Sequence, residues 1–377
     1  AKGTDKEQEQ FTYEAKEIYS VNGGKGISSI AMRNNGDLAV YNYYEKKIYV
    51  FDKKGSKTGE AEVGENWDGV LAFGKDNKLY ALLQYREKNE NNENILLKRK
   101  LQVYDTQGNA IESQSGIVEI KGESKYLTGE TIDKIEIDSK GNIYCLKVSE
   151  EVEILDTKLK NVTTLQGKKF LDIDIDEEDS IIGLCYDSGS EVYIEKISSK
   201  DHRSIWKKEH DSNEAAKSIY YNAAGKTLYG LNEKGIFKYD DKGNIKGYIA
   251  DITQLSGLEN MYRFIVDEEE KIYAFGKDGS QSKLLAYAKT EKKEQEEIDK
   301  KEILLYSYYP GDDHIHQNMK NVIRKFEEKH PNIKIKFEIH DNLQQINTEL
   351  LAGKGPDILC GVYPAMGYIT KGVFLDL

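Results

Sequence analysis

Residues 132–160 read IDKIEIDSKGNIYCLKVSEEVEILDTKLK. Ile132, Ile135 and Ile137 are interleaved with charged residues, and Asp138-Ser139-Lys140-Gly141-Asn142 supplies a turn. A second apolar run follows at Ile143-Tyr144-Cys145-Leu146, a third at Val152-Glu153-Ile154-Leu155, and then a second Asp-led turn at Asp156. Period-two alternation puts one face of each strand inward and the other outward. Asp, Asn and Gly tolerate the left-handed backbone that tight hairpins need. The stretch therefore predicts antiparallel strands joined by short turns.

The same pattern recurs on both sides. Its copies begin SSIAMRNNGDLAVYNYYEKKIYVFDKKGS, VLAFGKDNKLYALLQY, FLDIDIDEEDSIIGLCYDSGSEVYIEKIS, KSIYYNAAGKTLYGLNEKGIFKYDDKGN and YRFIVDEEEKIYAFGKDGSQSKLLAYAK. The anchor turns fall near Gly36, Asn77, Gly141, Asp179, Gly225 and Glu270. Most lie roughly 40–45 residues apart, the length of a four-stranded propeller blade. The gap from Asn77 to Gly141 is longer, and two insertions are expected to fill it, one around Asn91 and one over Ser113–Glu130. The sixth copy has three clear strands. The segment Phe11–Val21 (FTYEAKEIYSV) is strand-like and is expected to supply the fourth, which closes the ring without an open seam. The fold class is mainly β, a six-bladed β-propeller, and on period and turn chemistry it resembles the NHL or gluconolactonase-like kind.

Bulk properties narrow the function. Net charge is −12, with lysines interleaved among acids throughout. Nucleic-acid binding, which needs clustered Lys and Arg, is therefore not expected. No apolar run approaches the ~20 residues that span a bilayer. Cys145, Cys185 and Cys360 sit in apolar strand-like runs with neither zinc nor disulfide-framework spacing. Buried free thiols are the main reading and a Cys145–Cys185 bridge the rival.

No catalytic constellation is evident. The propeller's arginines are Arg33, Arg86, Arg99, Arg203 and Arg263, without the turns of sialidase-type propellers. Asp52, Asp105, Asp156 and Asp240 recur after the third strand of their copies, and turn formation explains them better than metal binding. Asp172, Asp174 and Asp176 alternate along one strand and share a face. They are either a calcium-capable trio or a turn residue (Asp176) beside a rim residue (Asp174). His202 and His210 are read as exposed loop histidines flanking Trp206. The expectation is a protein that is not an enzyme, needs no cofactor or metal, and meets a protein or glycan partner at the propeller mouth.

Residues 289–302 read KTEKKEQEEIDKKE, with eleven of fourteen charged. Such a segment has almost nothing to bury. The domain plan is a polar leader at 1–10, a propeller at 11–289, a charged linker at 290–301 and a second domain at 302–377. All four prolines (Pro310, Pro331, Pro356 and Pro364) fall in that last piece. Ile303-Leu304-Leu305-Tyr306 reads as a covered strand. Ile315, Met319, Val322, Ile323 and Phe326 form one helical stripe, and Pro331 stops that helix. Ile333, Ile335, Phe337 and Ile339 alternate as an edge strand. Leu343, Ile346, Leu350 and Leu351 form a second stripe, and Asp357–Cys360 begins a third strand. Strand-helix alternation implies a small α/β domain with a parallel three-stranded sheet.

Three segments of this piece carry a resemblance. Phe326-Glu327-Glu328-Lys329-His330-Pro331-Asn332-Ile333-Lys334-Ile335, then Leu351-Ala352-Gly353-Lys354-Gly355-Pro356-Asp357-Ile358, then Gly372-Val373-Phe374-Leu375-Asp376-Leu377 occur in order. They resemble the signatures of extracellular solute-binding proteins of ABC importers, the carbohydrate-type family. The resemblance implies a two-lobed clamp with its solute, a small molecule such as a sugar, in the cleft. It also implies ABC importer membrane subunits as partners and an extracellular, lipid-anchored location at the cell surface. Ligands of such sheets lie beyond the carboxyl ends of the strands. There Tyr308, Tyr309 and Tyr363 suit stacking on sugar rings, and Asp312 and Asp341 suit accepting sugar hydroxyls. The chain covers about half of one lobe, so tight sugar binding by these residues alone is not expected. The rival readings are a surface adhesion or protein-interaction propeller with a vestigial tail, and a propeller hydrolase or lyase.

Overall fold

A computed structural model of the chain describes residues 11–23, 26–88, 90, 94–106, 108–111, 116–120, 130–187, 191–211, 214–291, 301–308 and 313–361. Two compact units divide it, residues 1–291 and 292–377.

The first unit is a six-bladed propeller. Each blade is a four-stranded antiparallel sheet, in chain order in the first five blades. Blade three, the stretch quoted first, runs Ile132–Ile137, Ile143–Lys147, Val152–Leu155 and Asn161–Thr164. The inner strands of the other blades, in order, are Ile27–Met32, Trp67–Phe73, Lys169–Ile175, Ser218–Asn222 and Asn260–Val266. Blade six closes as expected. Strand Phe11–Asn22 pairs antiparallel with Gln281–Glu291, from Phe11 opposite Glu291 to Asn22 opposite Gln281.

One turn device holds the hairpins. The Asp138 Oδ1 accepts from the backbone N–H of Lys140 and of Asn142. The same pair of bonds, to residues two and four further on, forms at Asp52, Asp156, Asp176, Asp240 and Asp267. At Asp105 the bond four residues on is to Asn109. The recurring aspartates are turn formers.

The core is divided among the blade interfaces. Six clusters of buried side chains each join two neighbouring blades. Val70, Leu82 and Leu101 of blade two meet Ile135, Ile143 and Leu155 of blade three. Leu38 and Val40 of blade one meet Tyr273, Phe275 and Leu284 of blade six. Each blade is thus stabilised by burial on both faces, and the ring stands or falls as one.

Several local expectations are corrected. Ser113–Glu130 is more than an insertion, because Gly116–Glu119 within it is the outer strand of blade two. Trp206 lies on a strand, Ser204–Glu209, and His210 is half-buried with its ring 5.6 Å from that of Tyr239. Cys145 and Cys185 are buried and free, as the main reading has them, which overturns the rival bridge, while Cys360 is only half-buried. The last propeller strand continues through Glu291, and the first strand of the second unit begins at Lys301.

The second unit is strand Lys301–Ser307, helix Asp313–Lys329, strand Ile333–Ile339, helix Leu343–Leu351 and strand Ile358–Cys360. The sheet is parallel with the first strand in the middle, which leaves the second at an edge. Residues of the quoted signatures clamp these elements together. Glu327, near the end of the first helix, accepts from the Ile335 N–H at 2.7 Å and from Lys334 Nζ at 3.0 Å. Asp357 accepts from the Leu304 N–H at 2.8 Å. Asn342 caps the second helix through the N–H groups of Gln344 and Gln345. The expected stripe on the first helix is only partly covered. Ile323 is buried, but Val322 is 61% exposed.

Candidate functional sites

At the carboxyl edge of the small sheet, the Tyr308 N–H donates to the Cys360 carbonyl at 3.0 Å and the His340 N–H to the Ser307 carbonyl at 2.9 Å. The three strand ends are therefore held side by side. Tyr308 is half-buried there and Asp341 is exposed just beyond His340. Tyr309, Asp312 and Tyr363 lie outside the described residues. Tyr306 is buried, its ring 4.0 Å from that of His340 and its hydroxyl donating to Glu349 Oε2 at 2.9 Å. Two buried polar atoms at this edge, Ser307 Oγ and His316 Nε2, have no partner among the described residues. Groups of this kind are costly to leave unsatisfied.

A second site lies in the propeller. A cavity of about 400 Å³ occupies the central channel and is lined by all six inner strands. Aligning those strands on their turns shows how uneven its wall is. Counted two and four residues before the turn, blade one presents Ala31 and Ser29, and blade two Ala72 and Val70. The same positions hold Glu136 and Lys134 in blade three, Asp174 and Asp172 in blade four, Tyr220 and Ser218 in blade five, and Ile265 and Arg263 in blade six.

Asp172 is the hub. Its Oδ1 accepts from Lys134 Nζ at 3.0 Å, Arg263 Nη1 at 3.0 Å and the Ile173 N–H at 2.9 Å. Its Oδ2 accepts from Ser218 Oγ at 2.7 Å and the Ile219 N–H at 2.9 Å. Burial alone would raise its pKa. The two cations and the Ile219 and Ser218 hydrogen bonds outweigh that and hold it at about 2. Arg263 also reaches Asp133 at 2.6 Å.

Asp174 and Glu136 behave oppositely. Asp174 accepts from the Tyr221 and Ile175 N–H groups, each at 2.8 Å. Among the described residues Glu136 has Lys134 alone, at 3.4 Å, and Lys134 is already committed to Asp172 and to the Ile173 carbonyl at 2.6 Å. Burial first, and then the neighbouring carboxylates, push both carboxyls above the usual range. The expectation of Asp174 at the rim is corrected, since it is 4% exposed and lines the channel. The trio Asp172, Asp174 and Asp176 is divided among a hub, a channel wall and a turn. Among the described residues no three His, Cys, Asp or Glu side chains are grouped to hold a metal. Sequence reading missed the Lys134–Asp172–Arg263 cluster, because its members come from three blades.

No protein-family model matches the chain, and no curated protein matches it. Among solved structures it is similar to a streptogramin B lyase, with 10% identity over 75% of this chain and 99% of that one, TM-score 0.45. It is also similar to a virginiamycin B lyase from Staphylococcus aureus, with 13% identity over 73% and 99%, TM-score 0.46. A luciferin-regenerating enzyme aligns at 9% identity over 73% and 95%, TM-score 0.46. The expectation that the chain is not an enzyme is corrected on this finding. These three structures are named as enzymes. At these identities the likeness is one of fold and assigns this chain no reaction.

Proposed function

We propose that the chain is part of the solute-binding component of an ABC importer, with a carbohydrate as its solute. It is exported and lipid-anchored at the cell surface, works with the importer's membrane subunits, and carries a propeller whose mouth is open to a protein or glycan. The observation that carries this reading is the second unit. Two of the three ordered segments are joined to a parallel sheet with its first strand in the middle, and Glu327 and Asp357 within them clamp one element to the next; the third, residues 372–377, lies outside the described residues. The orphaned Ser307 and His316 lie at the sheet edge where such a clamp takes its ligand. Tyr308, Tyr309 and Tyr363 would stack on the sugar, and Asp312 and Asp341 would accept its hydroxyls. Leu351 and Val322, 89% and 61% exposed, supply apolar surface for the remaining elements of the lobe to cover.

The test is the whole reading frame, expressed in its native host and crosslinked in intact membranes. The reading expects sequence beyond Leu377 that completes a two-lobed clamp, and recovery of the importer's membrane subunits with the chain. A frame without that clamp, or recovery without those subunits, overturns it.

A further inference from the structure

We propose that the propeller channel is a binding site for a small organic cation, an amine or guanidinium compound with an apolar body, seated between Glu136, Asp174 and the Tyr220 hydroxyl. This site is separate from the one proposed for the second unit and does not depend on it.

Around Asp172 the wall holds two cations, Lys134 and Arg263, against four carboxylates, Asp133, Glu136, Asp172 and Asp174. Both cations are engaged. Arg263 bridges Asp133 and Asp172, and Lys134 serves Asp172, Glu136 and a carbonyl. Neither of these two cations is left free for an anionic ligand. A carboxylate can accept about four hydrogen bonds, and Glu136 has one distant partner. Tyr220, also on the cavity wall, is half-buried with its ring edge-on to Phe264.

Across the ring from blades four and five, the first two blades present small or apolar residues, Ala31, Leu71 and Ala72 among them. Their lack of bulk leaves the cavity open, and at about 400 Å³ it falls within the size range of small-molecule sites. A ligand matching both walls has a cationic head and an apolar body. Among the described residues no three side chains there suit a metal ion, which favours an organic cation.

Proton linkage follows. Glu136 faces Lys134 on its own strand, Asp172 and Asp174 on blade four, Tyr220 on blade five, and Arg263 and Asp267 on blade six. Past the inner strands' ends, Arg33 is held by Asp37 and Lys75 by Asp179, while Glu177 and Glu268 add negative charge. Burial and this crowding keep a proton on the Glu136–Asp174 pair near neutral pH. An arriving cation takes the proton's place, so binding releases up to one proton and tightens as pH rises.

The experiment is isothermal titration of the full chain at pH 7 with benzylamine, putrescine and agmatine, each in two buffers of different ionisation enthalpy. Benzyl alcohol is the neutral control. The expected result is saturable binding of at least one amine but not of the alcohol, with net proton release. Glu136→Gln is expected to weaken that binding at least about tenfold, which is 1.4 kcal/mol, and to abolish most of the release. Tyr220→Phe keeps the ring's packing on Phe264 and is expected to weaken binding a few-fold. Thermal melts establish that each variant is folded. The inference is overturned if none of the amines binds, if amine and alcohol bind alike, or if both folded variants retain the affinity and proton count of the parent chain.

Discussion

Replacing Asp172 with Asn should destabilise the propeller by an amount the structure lets us work out. Asp172 is fully buried and takes five donors from blades three, four, five and six. Its pKa falls from an ordinary 3.8 to about 2. That depression makes the ionised carboxylate worth about 2–3 kcal/mol at neutral pH. Asn keeps an oxygen acceptor but removes the charge, and Lys134 and Arg263 then lack their common counter-ion. Stranding buried charge costs about 3–5 kcal/mol when one partner is removed outright. The expected loss is therefore about 2–4 kcal/mol.

Equilibrium unfolding in urea, followed by tryptophan fluorescence, measures it. Both tryptophans, Trp67 and Trp206, lie in propeller blades, so the signal reports that unit alone. The pH dependence adds a second check. The folded pKa is depressed, so the stabilisation is complete above about pH 4 and is lost as pH falls through about 2. The gap between parent and variant should hold from pH 7 to pH 4 and narrow below. A gap under about 1 kcal/mol at pH 7, or one that widens in acid, would refute the reasoning.

The Glu136 pKa is raised, so its linkage runs the other way. The parent loses stability as pH rises from the usual carboxylate range towards the folded value, and Glu136→Gln removes that loss. Thermal melts at pH 5 and pH 9 should show the variant gaining relative to the parent at the higher pH. Gly235 has φ +144°, and a Cβ there would lie 2.1 Å from the Ala250 carbonyl oxygen. Gly235→Ala should cost more than about 2 kcal/mol, whereas Gly279→Ala, at φ +60° with open space around it, should cost about 1 kcal/mol. Both are read by urea midpoint. Deleting residues 1–22 removes the strand that pairs with Gln281–Glu291, and should yield an aggregating or non-cooperative propeller by size exclusion and near-ultraviolet circular dichroism.

Much of the fold could be read from the chain because its determinants are local. Asp138 makes its turn with residues two and four further on, and the same spacing recurs around the ring. The closing strand could be inferred because the sixth copy was one strand short. Gly116–Glu119 was hidden for a physical reason, since an outer strand buries little and Ile117 is 60% exposed. The channel was hidden more deeply. Alternation fixes which face Asp172 and Asp174 occupy, but not what stands opposite. Lys134 and Arg263 lie 38 and 91 residues away in the chain, and only ring closure brings them together. In the second unit, Glu327 and Asp357 could be placed near a helix end and a strand start, but their role as clamps between elements needed the fold.

The central claim, that the chain belongs to a carbohydrate-binding component of an importer, is tested most directly by isothermal titration of the whole reading-frame protein with a panel of mono- and oligosaccharides. The account predicts one class of sugar bound with a Kd of about 1 μM or tighter, about −8 kcal/mol, and markedly weakened by Tyr308→Ala. Binding of no sugar, or sugar binding that Tyr308→Ala leaves unchanged, would contradict it.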